Sequence, residues 1–330
     1  MKISHAMNYS RFVLAYLAGR ETARHLPLDI NVELTNVCNF ACSFCPQSDP
    51  NHLERMGRNY LSLEQAQYIL EQIRDLGYTR SLIHWTHDGE PFMNKHFGEI
   101  FRLARDYGFT NQYFATNALL LTEKNIRKLP EDVKFTFTID FCADKQYFES
   151  IRGSAKSWER IRQNITRIIN DPKLTHITCI LSDISTFNVT DPAELSRRHN
   201  ELKALFPSSG RLRFHSKGFH NAAGFFSMTK KSTHYHVCPY PFSSLSIASN
   251  GDVVACCRDL EHKSVLGNVF DTPLEQIWNG EAFRALRRNL VRKRPERNLA
   301  CQGCDLPYDQ EKFSLHNIVK SLFGRLQILR

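Results

Sequence analysis

Apolar positions alternate with polar ones in six short segments, and an amphipathic segment with helical periodicity follows most of them. The alternating segments "DINVELT", "SLIHWTH", "NQYFATN", "VKFTFTID", "HITCILSD" and "RLRFHS" are predicted to be strands. "SLEQAQYILEQIRDLG" is typical of the helices, with Ser62 as N-cap, Gln65 completing a capping box and Gly77 at its end. A further helix is predicted near residues 8–24. Because parallel neighbours need crossover connections, strands separated by helices predict a parallel α/β sheet.

The side chains that can do chemistry follow the predicted strands. Ligands bind at the carboxyl ends of parallel strands whether the sheet is open or curled. One edge of the sheet is therefore predicted to carry an active site. Its candidate residues are Cys38, Cys42 and Cys45 after the first strand, "HDGEP" after the second, Thr116 and Asn117 after the third, and "DFC" (140–142) after the fourth.

The alternation of strands and helices ends after residue 216. "SKGFHNAAGFFSMTKKSTHYH" has the composition of a linker, and "LSIASNGDVVACC" predicts a β-hairpin with Asn250-Gly251 as a type I′ turn. "TPLEQIWNGEAFRALRRNLV" predicts one helix or two. The expected organisation is an N-terminal helical extension (1–29), a core domain (30–215), a smaller second domain (216–310) and an amphipathic tail (311–330).

Composition narrows the class of protein. The 330 residues are 42% hydrophobic and 23% charged, as in globular proteins, and no apolar run is long enough to cross a bilayer. No export signal is evident, so a cytoplasmic protein is expected, in which clustered cysteines bind metal more often than they form disulfides. The basic segment 284–298 lacks the interleaved aromatic residues that stack on nucleic-acid bases. It is predicted to be a solvated surface, and no nucleic-acid partner is expected.

Three thiols lie on one loop, with no fourth cysteine or histidine beside them. Their spacing is Cys38-x3-Cys42-x2-Cys45. A structural zinc site normally closes with four protein ligands, whereas an iron–sulfur cubane bound by three cysteines keeps one iron open. The loop therefore favours a cubane whose open iron binds a substrate or cosubstrate, with a structural zinc loop as the alternative.

These residues resemble a known family. "CNFACSFC" is similar to the CxxxCxxC signature of radical S-adenosylmethionine (radical SAM) enzymes, with Phe44 at the usual aromatic position. "DGEP" resembles the GGEP segment of the family, "ATNALLL" its TNG-LL strand end, and "FTIDFCADKQYFESIRG" its SIDG-D-E-Y--IRG segment. The resemblance implies a partial (β/α)6 TIM-like barrel, a [4Fe-4S] cluster with an open iron, and S-adenosylmethionine as cosubstrate.

The resemblance also implies roles for individual residues. The Glu90 carboxylate is expected to bind the amino group of the methionine moiety, and Arg152 its carboxylate. Asp88 and Ala118 stand where the family has glycine, and Phe141-Cys142 replace the residues after its aspartate. These departures change the pocket wall but leave the cosubstrate assignment standing. The further cosubstrate-binding residues implied are Phe44, Asp88, Gly89, Asn117 and Asp140.

Four more thiols occur in the second domain. "NGDVVAC" and "SVLGNVFDTPLEQIWNG" resemble the SPASM-type auxiliary domain of radical SAM enzymes. The resemblance implies a small α+β iron–sulfur domain with one auxiliary [4Fe-4S] cluster. Zinc bound by the same thiols is the alternative, because a four-cysteine site ending in CxxC is a common zinc pattern. The ligands are Cys238, Cys256, Cys301 and Cys304.

Three cysteines remain. Adjacent residues on a strand point to opposite faces, so Cys256, spaced from Gly251 as in the family, is taken as the ligand in preference to Cys257. Cys257 and Cys142 are the candidate catalytic residues, as thiol hydrogen-atom donors of the kind used by related radical epimerases. Their alternative role is packing, and Cys179 is predicted to be a core residue.

The resemblance implies an enzyme that reductively cleaves S-adenosylmethionine to a 5′-deoxyadenosyl radical and abstracts a hydrogen atom from its substrate. It also implies an external electron donor such as flavodoxin or ferredoxin. Only about 30 residues precede the first strand, too few for a leader-binding domain. A small polar substrate (a sugar, aminocyclitol or other natural-product intermediate) is therefore favoured, with oxidation and epimerisation both open.

The alternative function is a maturase that modifies a peptide or protein partner. The tail "FSLHNIVKSLFGRLQILR" could dock such a partner or a membrane, although packing on its own barrel is favoured. Four histidines are candidates for contacts with substrate hydroxyl or phosphate groups, or else are structural: His84, His87, His215 and His220.

Overall fold

A computed structural model describes residues 5–309, apart from residues 79, 155, 188, 190, 217, 219 and 227–231. The predicted tail 311–330 lies outside the described residues. The strands of the described part are β1 Asp29–Val32, β2 Leu82–Trp85, β3 Asn111–Thr116, β4 Lys134–Phe141, β5 Ile177–Asp183, β6 Leu212–Ser216, β7 Ser244–Ile247, β8 Asp252–Val254 and β9 Val265–Asn268.

The strands form one sheet in the order β6-β5-β4-β3-β2-β1-β7-β8-β9. Strands β1 to β6 are neighbours in chain order and every pair is parallel, which is the order of a curled barrel wall. This arrangement confirms the predicted α/β class and is that of a partial barrel. Strand β7 pairs parallel with β1, and β8 and β9 add antiparallel, so the second domain extends the sheet of the barrel.

Helices and short 3-10 turns connect the strands. None of the described helices is long and apolar enough to span a bilayer. The helices are α1 His5–Leu17, α2 His52–Met56, α3 Leu63–Asp75, α4 Phe97–Asp106, α5 Glu123–Ile126, α6 Lys145–Arg152, α7 Ser157–Asn170, α8 Pro192–Ala204, α9 Tyr240–Ser243, α10 Leu274–Trp278, α11 Glu281–Val291 and α12 Leu299–Gln302. The 3-10 turns are Pro46–Ser48, Pro91–Met93, Ile184–Thr186, Pro295–Arg297 and Leu306–Tyr308.

The sequence predicted the start of α3 correctly and the end of the N-terminal helix wrongly. The capping box of α3 is confirmed, because Ser62 Oγ accepts a bond from the Gln65 backbone while the Gln65 side chain accepts one from the Ser62 backbone. The N-terminal helix is shorter than predicted. It ends at Leu17 because Gly19 takes a left-handed conformation, φ 58°, that terminates the helix.

The hairpin of the second domain is confirmed, but its predicted turn is wrong. A type I′ turn needs positive φ at both central residues, and of Asn250 and Gly251 only Gly251 has it, at 88°. The turn instead spans residues 248–251, closed by a bond from Gly251 N to Ala248 O of 2.9 Å. The Asn250 side chain bonds to Asp252, which shapes the turn without a second left-handed residue.

One face of the sheet carries the hydrophobic core. A continuous apolar row crosses the barrel wall and packs against the helices. Cys179 is a fully buried member of this row, which confirms its predicted core position. The row consists of Trp85, Phe114, Phe137, Cys179 and Leu212 on strands β2 to β6.

The basic segment is only partly the solvated surface that was predicted. Arg284 and Arg288 pair with carboxylates at the surface of α11. Arg287 is fully buried, lies 4.4 Å from the ring centre of Trp278, and donates to the Pro241 and Glu21 carbonyls. Burial lowers the pKa of Arg287 to about 9. This arginine is a packing element between α11 and the N-terminal segment.

Candidate active site at the carboxyl ends of the strands

The three-cysteine loop begins after β1 and is held by its own backbone. Cys45 N donates to Cys42 O at 2.9 Å, and the Phe40 amide lies 3.4 Å from the sulfur of Cys38. Ser43 N donates to Ile151 O at 2.8 Å, which ties the loop to the end of α6. The three cysteines are not joined by disulfide bonds.

The electrostatics of the loop fit a cationic metal group. Burial raises the pKa of Cys38 to about 12, and the charge of Glu90 adds to the effect. Burial raises the pKa of Cys45 well above its usual range, with further contributions from Asp88, Cys42 and Cys38. Thiolates are the metal-binding form of cysteine, so three interacting thiols, of which Cys42 is buried and the other two are partly buried, favour a positive ion or cluster between them. The donor set fits an iron–sulfur cluster with three protein ligands.

Arg152 lies against this loop. It is buried, with Nη1 3.4 Å from Asp140 Oδ2, and its guanidinium lies 5.2 Å from the ring centre of Phe40 and 5.6 Å from that of Phe44. Burial alone would lower the pKa of Arg152, but the charges of Cys42 and Asp140 raise it. The structure therefore brings the predicted residues Arg152, Asp140 and Phe44 together beside the thiols.

Gly153 fixes the distance between α6 and the cysteine loop. It ends α6 in the left-handed conformation, φ 59° and ψ 30°. A Cβ atom added here would lie 2.4 Å from the carbonyl oxygen of Ala41, the residue before Cys42. No larger residue fits unless the loop moves.

The Glu90 carboxylate joins two strand ends. Its oxygens accept bonds from Thr116 Oγ1 and Asn117 N, both at 2.7 Å, and from Phe92 N at 3.4 Å. Burial raises the pKa of Glu90 in spite of these bonds. The contact with the methionine amino group stays a prediction; what the structure shows is a carboxylate that positions Thr116 and Asn117.

Asp88, which stands where the family has glycine, has partners that the sequence did not reveal. Its Oδ2 lies 2.6 Å from His52 Nε2, and its Oδ1 accepts from Gln47 Nε2 at 2.9 Å. Both partners belong to the segment just after Cys45, so Asp88 ties that segment to the loop after β2. The next residue, Gly89, has φ 62°, and a Cβ there would lie 2.2 Å from Thr35 O.

Ala118, the second residue that stands where the family has glycine, keeps a left-handed backbone conformation. Ala118 has φ 62° although it is not glycine. Asn117 Nδ2 donates to Asn39 Oδ1 at 2.7 Å and lies 3.9 Å from Cys38 Sγ. The end of β3 therefore contacts the cysteine loop directly, as the order of elements predicted.

The thiols of the second domain gather in one place. Burial raises the pKa of Cys256 well above its usual range, and the charges of Cys257, Cys238, Cys301 and Cys304 raise it further. Cys238, Cys301 and Cys304 also pack in one small hydrophobic cluster. Four sulfur donors that interact electrostatically, two of them buried and two partly buried, fit a second metal cluster.

The two candidate catalytic cysteines lie in different surroundings. Cys142 is fully buried in the core and its Sγ donates to Asp144 O at 3.4 Å. Burial raises the pKa of Cys257, the Arg258 guanidinium lowers it, and the charge of Asp29, at the start of β1, raises it. A hydrogen-donor role for either thiol stays a prediction.

The face of the sheet opposite the core is polar. Asn31 Nδ2 lies 3.3 Å from Ser246 Oγ, and the His84 and Tyr113 rings are 4.9 Å apart. Paired residues on six adjacent strands form one row: Ser246, Asn31, His84, Tyr113, Thr136 and Thr178. A second row nearer the carboxyl ends consists of Asp140, Ser182 and His215.

The candidate histidines are distributed differently. His84 and His215 lie on the polar face, and His215 Nε2 is 3.1 Å from Ser182 Oγ. His220 Nδ1 accepts from Ala222 N at 3.2 Å in a loop of the second domain. His87 is paired with Glu33, which sequence reasoning did not single out. Only His84 and His215 are therefore placed where they can face a substrate in the barrel.

Comparison with protein families gives two matches. Residues 32–180 match the radical SAM superfamily model, and residues 238–305 match the SPASM iron–sulfur cluster-binding domain. The first match covers the cysteine loop and β2 to β4, and the second contains all five cysteines of the second domain. Both matches confirm the resemblance drawn from the motifs.

Two curated relatives illustrate the range of similar proteins. The S-adenosyl-L-methionine-dependent 2-deoxy-scyllo-inosamine dehydrogenase of Niallia circulans is 21% identical over 292 residues, 84% of this chain and 92% of that protein. The PqqA peptide cyclase of Rhodopseudomonas palustris is 32% identical over 107 residues, 32% of this chain. The matched segment spans only 26% of the length of the cyclase.

Solved structures share the fold. BtrN in complex with AdoMet and 2-DOIA is 19% identical, with a TM-score of 0.59 over 85% of this chain and 93% of that chain. Streptococcus suis SuiB bound to the precursor peptide SuiA is 14% identical, with a TM-score of 0.61 over 95% of this chain and 77% of that chain. At these identities the likeness supports the architecture alone.

Proposed function

This chain belongs to the radical SAM superfamily and carries a C-terminal iron–sulfur cluster-binding domain, and we propose that it oxidises a small, hydroxyl-bearing substrate. Its cofactors are S-adenosylmethionine, a [4Fe-4S] cluster and iron–sulfur in the second domain. Cys38, Cys42 and Cys45 would hold the first cluster. The ligands proposed for the second are Cys238, Cys256, Cys301 and Cys304.

The cofactors supply the radical chemistry, and the protein binds and orients them. When bound, they supply the electron that splits the sulfonium, the hydrogen-abstracting 5′-deoxyadenosyl group and an acceptor for the second substrate electron. Asn117 and Glu90 hold the end of β3 against the cysteine loop, and Arg152 supplies a buried cation beside Asp140. These groups are proposed to orient the cosubstrate and to keep water away from it.

The polar face of the barrel is the observation that carries the proposed substrate class. Hydroxyl, amide and imidazole groups follow one another across six strands, whereas the opposite face is a continuous row of apolar side chains. The row nearer the carboxyl ends, Asp140, Ser182 and His215, is the part of this face that can bond to hydroxyl groups of a small molecule. Similarity to a dehydrogenase along 92% of the length of that enzyme also supports oxidation.

The burial of Cys142, one of the two candidate hydrogen donors, favours oxidation over epimerisation. An epimerase needs a thiol that reaches the substrate radical. Cys142 has no exposed surface and bonds to the Asp144 carbonyl, and its burial raises its pKa to about 12. Oxidation needs no such donor.

The test is anaerobic turnover by protein with reconstituted clusters. With reductant and S-adenosylmethionine the wild type is expected to form 5′-deoxyadenosine, and Cys38→Ala/Cys42→Ala/Cys45→Ala none. A panel of C-deuterated polyols and aminocyclitols is then tested for deuterium transfer into 5′-deoxyadenosine. Absence of cleavage by the wild type under strong reductant would refute the enzymatic proposal.

A peptide or protein substrate is the second candidate. It is supported by the segment of 107 residues that is 32% identical to the PqqA peptide cyclase. Deuterium transfer from a labelled peptide, with none from any polyol of the panel, would favour this function. Cleavage of the cosubstrate is expected under both, so the label in the product decides between them.

A further inference from the structure

A group of metal-binding side chains lies where the barrel meets the second domain, apart from the cluster thiols. Glu33 follows β1, His87 follows β2, and His262 lies between β8 and β9. One donor atom from each of the three lies within 4.8 Å of the others. Imidazoles are ligands that first-row transition metals bind in proteins, and a neighbouring carboxylate can orient them.

Carboxylates orient both imidazoles. His87 Nδ1 is 3.0 Å from Glu33 Oε2, and His262 Nδ1 is 3.1 Å from Asp252 Oδ2. The other oxygen of Glu33 accepts from Ser249 Oγ at 2.6 Å. A carboxylate on one ring nitrogen that leaves the other available is the usual environment of a metal-binding histidine.

The second nitrogen of His87 lacks a partner. The His87 side chain is 0% exposed, and its Nε2 has no hydrogen-bond partner among the described residues. A buried polar atom without a partner costs about 1–3 kcal/mol. No group among the described residues satisfies His87 Nε2, so this nitrogen is available to bind a metal ion.

The spacing of the rings suits one shared ion. The ring centres of His87 and His262 are 5.8 Å apart. A ring centre lies about 3 Å from an ion bound at about 2.0–2.1 Å, so two rings sharing an ion are about 5–6 Å apart. The pair needs little movement to bind a common metal.

We propose that His87 and His262 bind one divalent transition-metal ion of the Zn²⁺ type through their Nε2 atoms, with Glu33 and Asp252 holding the two rings at Nδ1. The ion would join the strand ends of the barrel to the β8–β9 connection of the second domain. Glu33 Oε2 also accepts from Asp88 N at 3.0 Å, so the site lies one residue from the segment 88–90. The site goes beyond the proposed function and does not depend on it.

The experiment counts metals in protein that carries its clusters. Anaerobically reconstituted protein is dialysed against micromolar Zn²⁺, and zinc and iron are measured per chain. We expect one zinc with unchanged iron. His262→Ala should lose the zinc and keep the iron, and Asp252→Asn should bind zinc about 10–100-fold more weakly. His176→Ala, a change at a partly exposed histidine before β5, is the matched control and should bind as the wild type does.

X-ray absorption identifies the ligands of the bound zinc. Nitrogen and oxygen neighbours at about 2.0–2.1 Å support the site, whereas sulfur at about 2.3 Å places the zinc at thiolates and overturns the proposal. Absence of zinc from the wild type, or zinc retained by His262→Ala and Asp252→Asn alike, also overturns it. If His262→Ala fails to fold, Asp252→Asn alone decides. None of these readouts requires turnover, so their failure is distinct from failure of the proposed function.

Discussion

Substitution of Gly153 tests whether α6 sets the position of the cysteine loop. Alanine in the left-handed conformation costs about 1–2 kcal/mol. The added methyl would lie 2.4 Å from the Ala41 carbonyl oxygen, where ordinary contact begins near 3.4 Å, so the loop must move by about 1 Å. A shift of that size beside Cys42 is expected to slow cleavage of S-adenosylmethionine about 100-fold.

Gly108→Ala is the matched control. Gly108 has φ 94° and no atom within 4 Å of its Cβ position. Its φ lies further than that of Gly153 from the range that alanine accepts, so the backbone penalty is at least as large. The assay measures 5′-deoxyadenosine formed per chain under anaerobic reductant, together with iron content and thermal stability. Wild-type cleavage by Gly153→Ala, or equal loss in both variants, would refute the reasoning.

Three further outcomes are expected. Arg287→Ala should destabilise the protein by about 3 kcal/mol, because the Pro241 and Glu21 carbonyl groups lose their hydrogen-bond donor. Arg284→Ala, at the surface of the same helix, should change the free energy of unfolding by less than about 0.5 kcal/mol. Anaerobic thermal unfolding measures both variants, and equal midpoints would contradict the prediction. Cys256→Ala should remove about four irons per chain and Cys257→Ala none, because Cys256 interacts with the three other proposed ligands of the second cluster. If iron analysis shows the reverse, Cys257 is the cluster ligand and Cys256 is not. Burial lowers the pKa of His25 below its usual 6.5, so the unfolded chain binds a proton more readily than the folded chain and stability falls as the pH drops below about 6.5. His25→Gln should make thermal stability less dependent on pH between pH 8 and pH 6. An unchanged pH dependence of the unfolding midpoint would contradict this prediction.

The sequence predicts the features that neighbouring residues determine. The period of β4, with Phe135, Phe137 and Ile139 on one face, appears in the structure as a strand with one buried face. The capping box of Ser62 and Gln65 is confirmed because its partners are three residues apart. The three thiols of the first loop are similarly close in the chain, so their spacing favoured a cubane over a structural zinc site, and the resemblance of the surrounding motifs to the family supported that prediction.

Contacts between distant residues could not be predicted in the same way. Asp88 and His52 are 36 residues apart, and neither carries a local sign of the other. Glu33 bonds to Ser249 across 216 residues, because β7 of the second domain joins the sheet beside β1. Arg287 was assigned to a surface by its charged neighbours, since composition does not reveal which member of a basic run faces inward. Each of these three misses concerns packing between elements.

The cysteine loop is held in place by protein contacts that do not involve its thiols. Ser43 N bonds to the end of α6, Asn39 bonds to Asn117 at the end of β3, and Gln47 bridges Asn36 and Asp88. A loop fixed from three sides loses little conformational entropy when it takes up a cluster, so more of the binding energy of the thiolates appears as affinity. The same bonds make the loop sensitive to its neighbours: a change at the end of α6, β3 or β2 moves the thiols even though it leaves all three in place. Asp88, at a position where the family has glycine, contributes to this coupling through its bonds to His52 and Gln47.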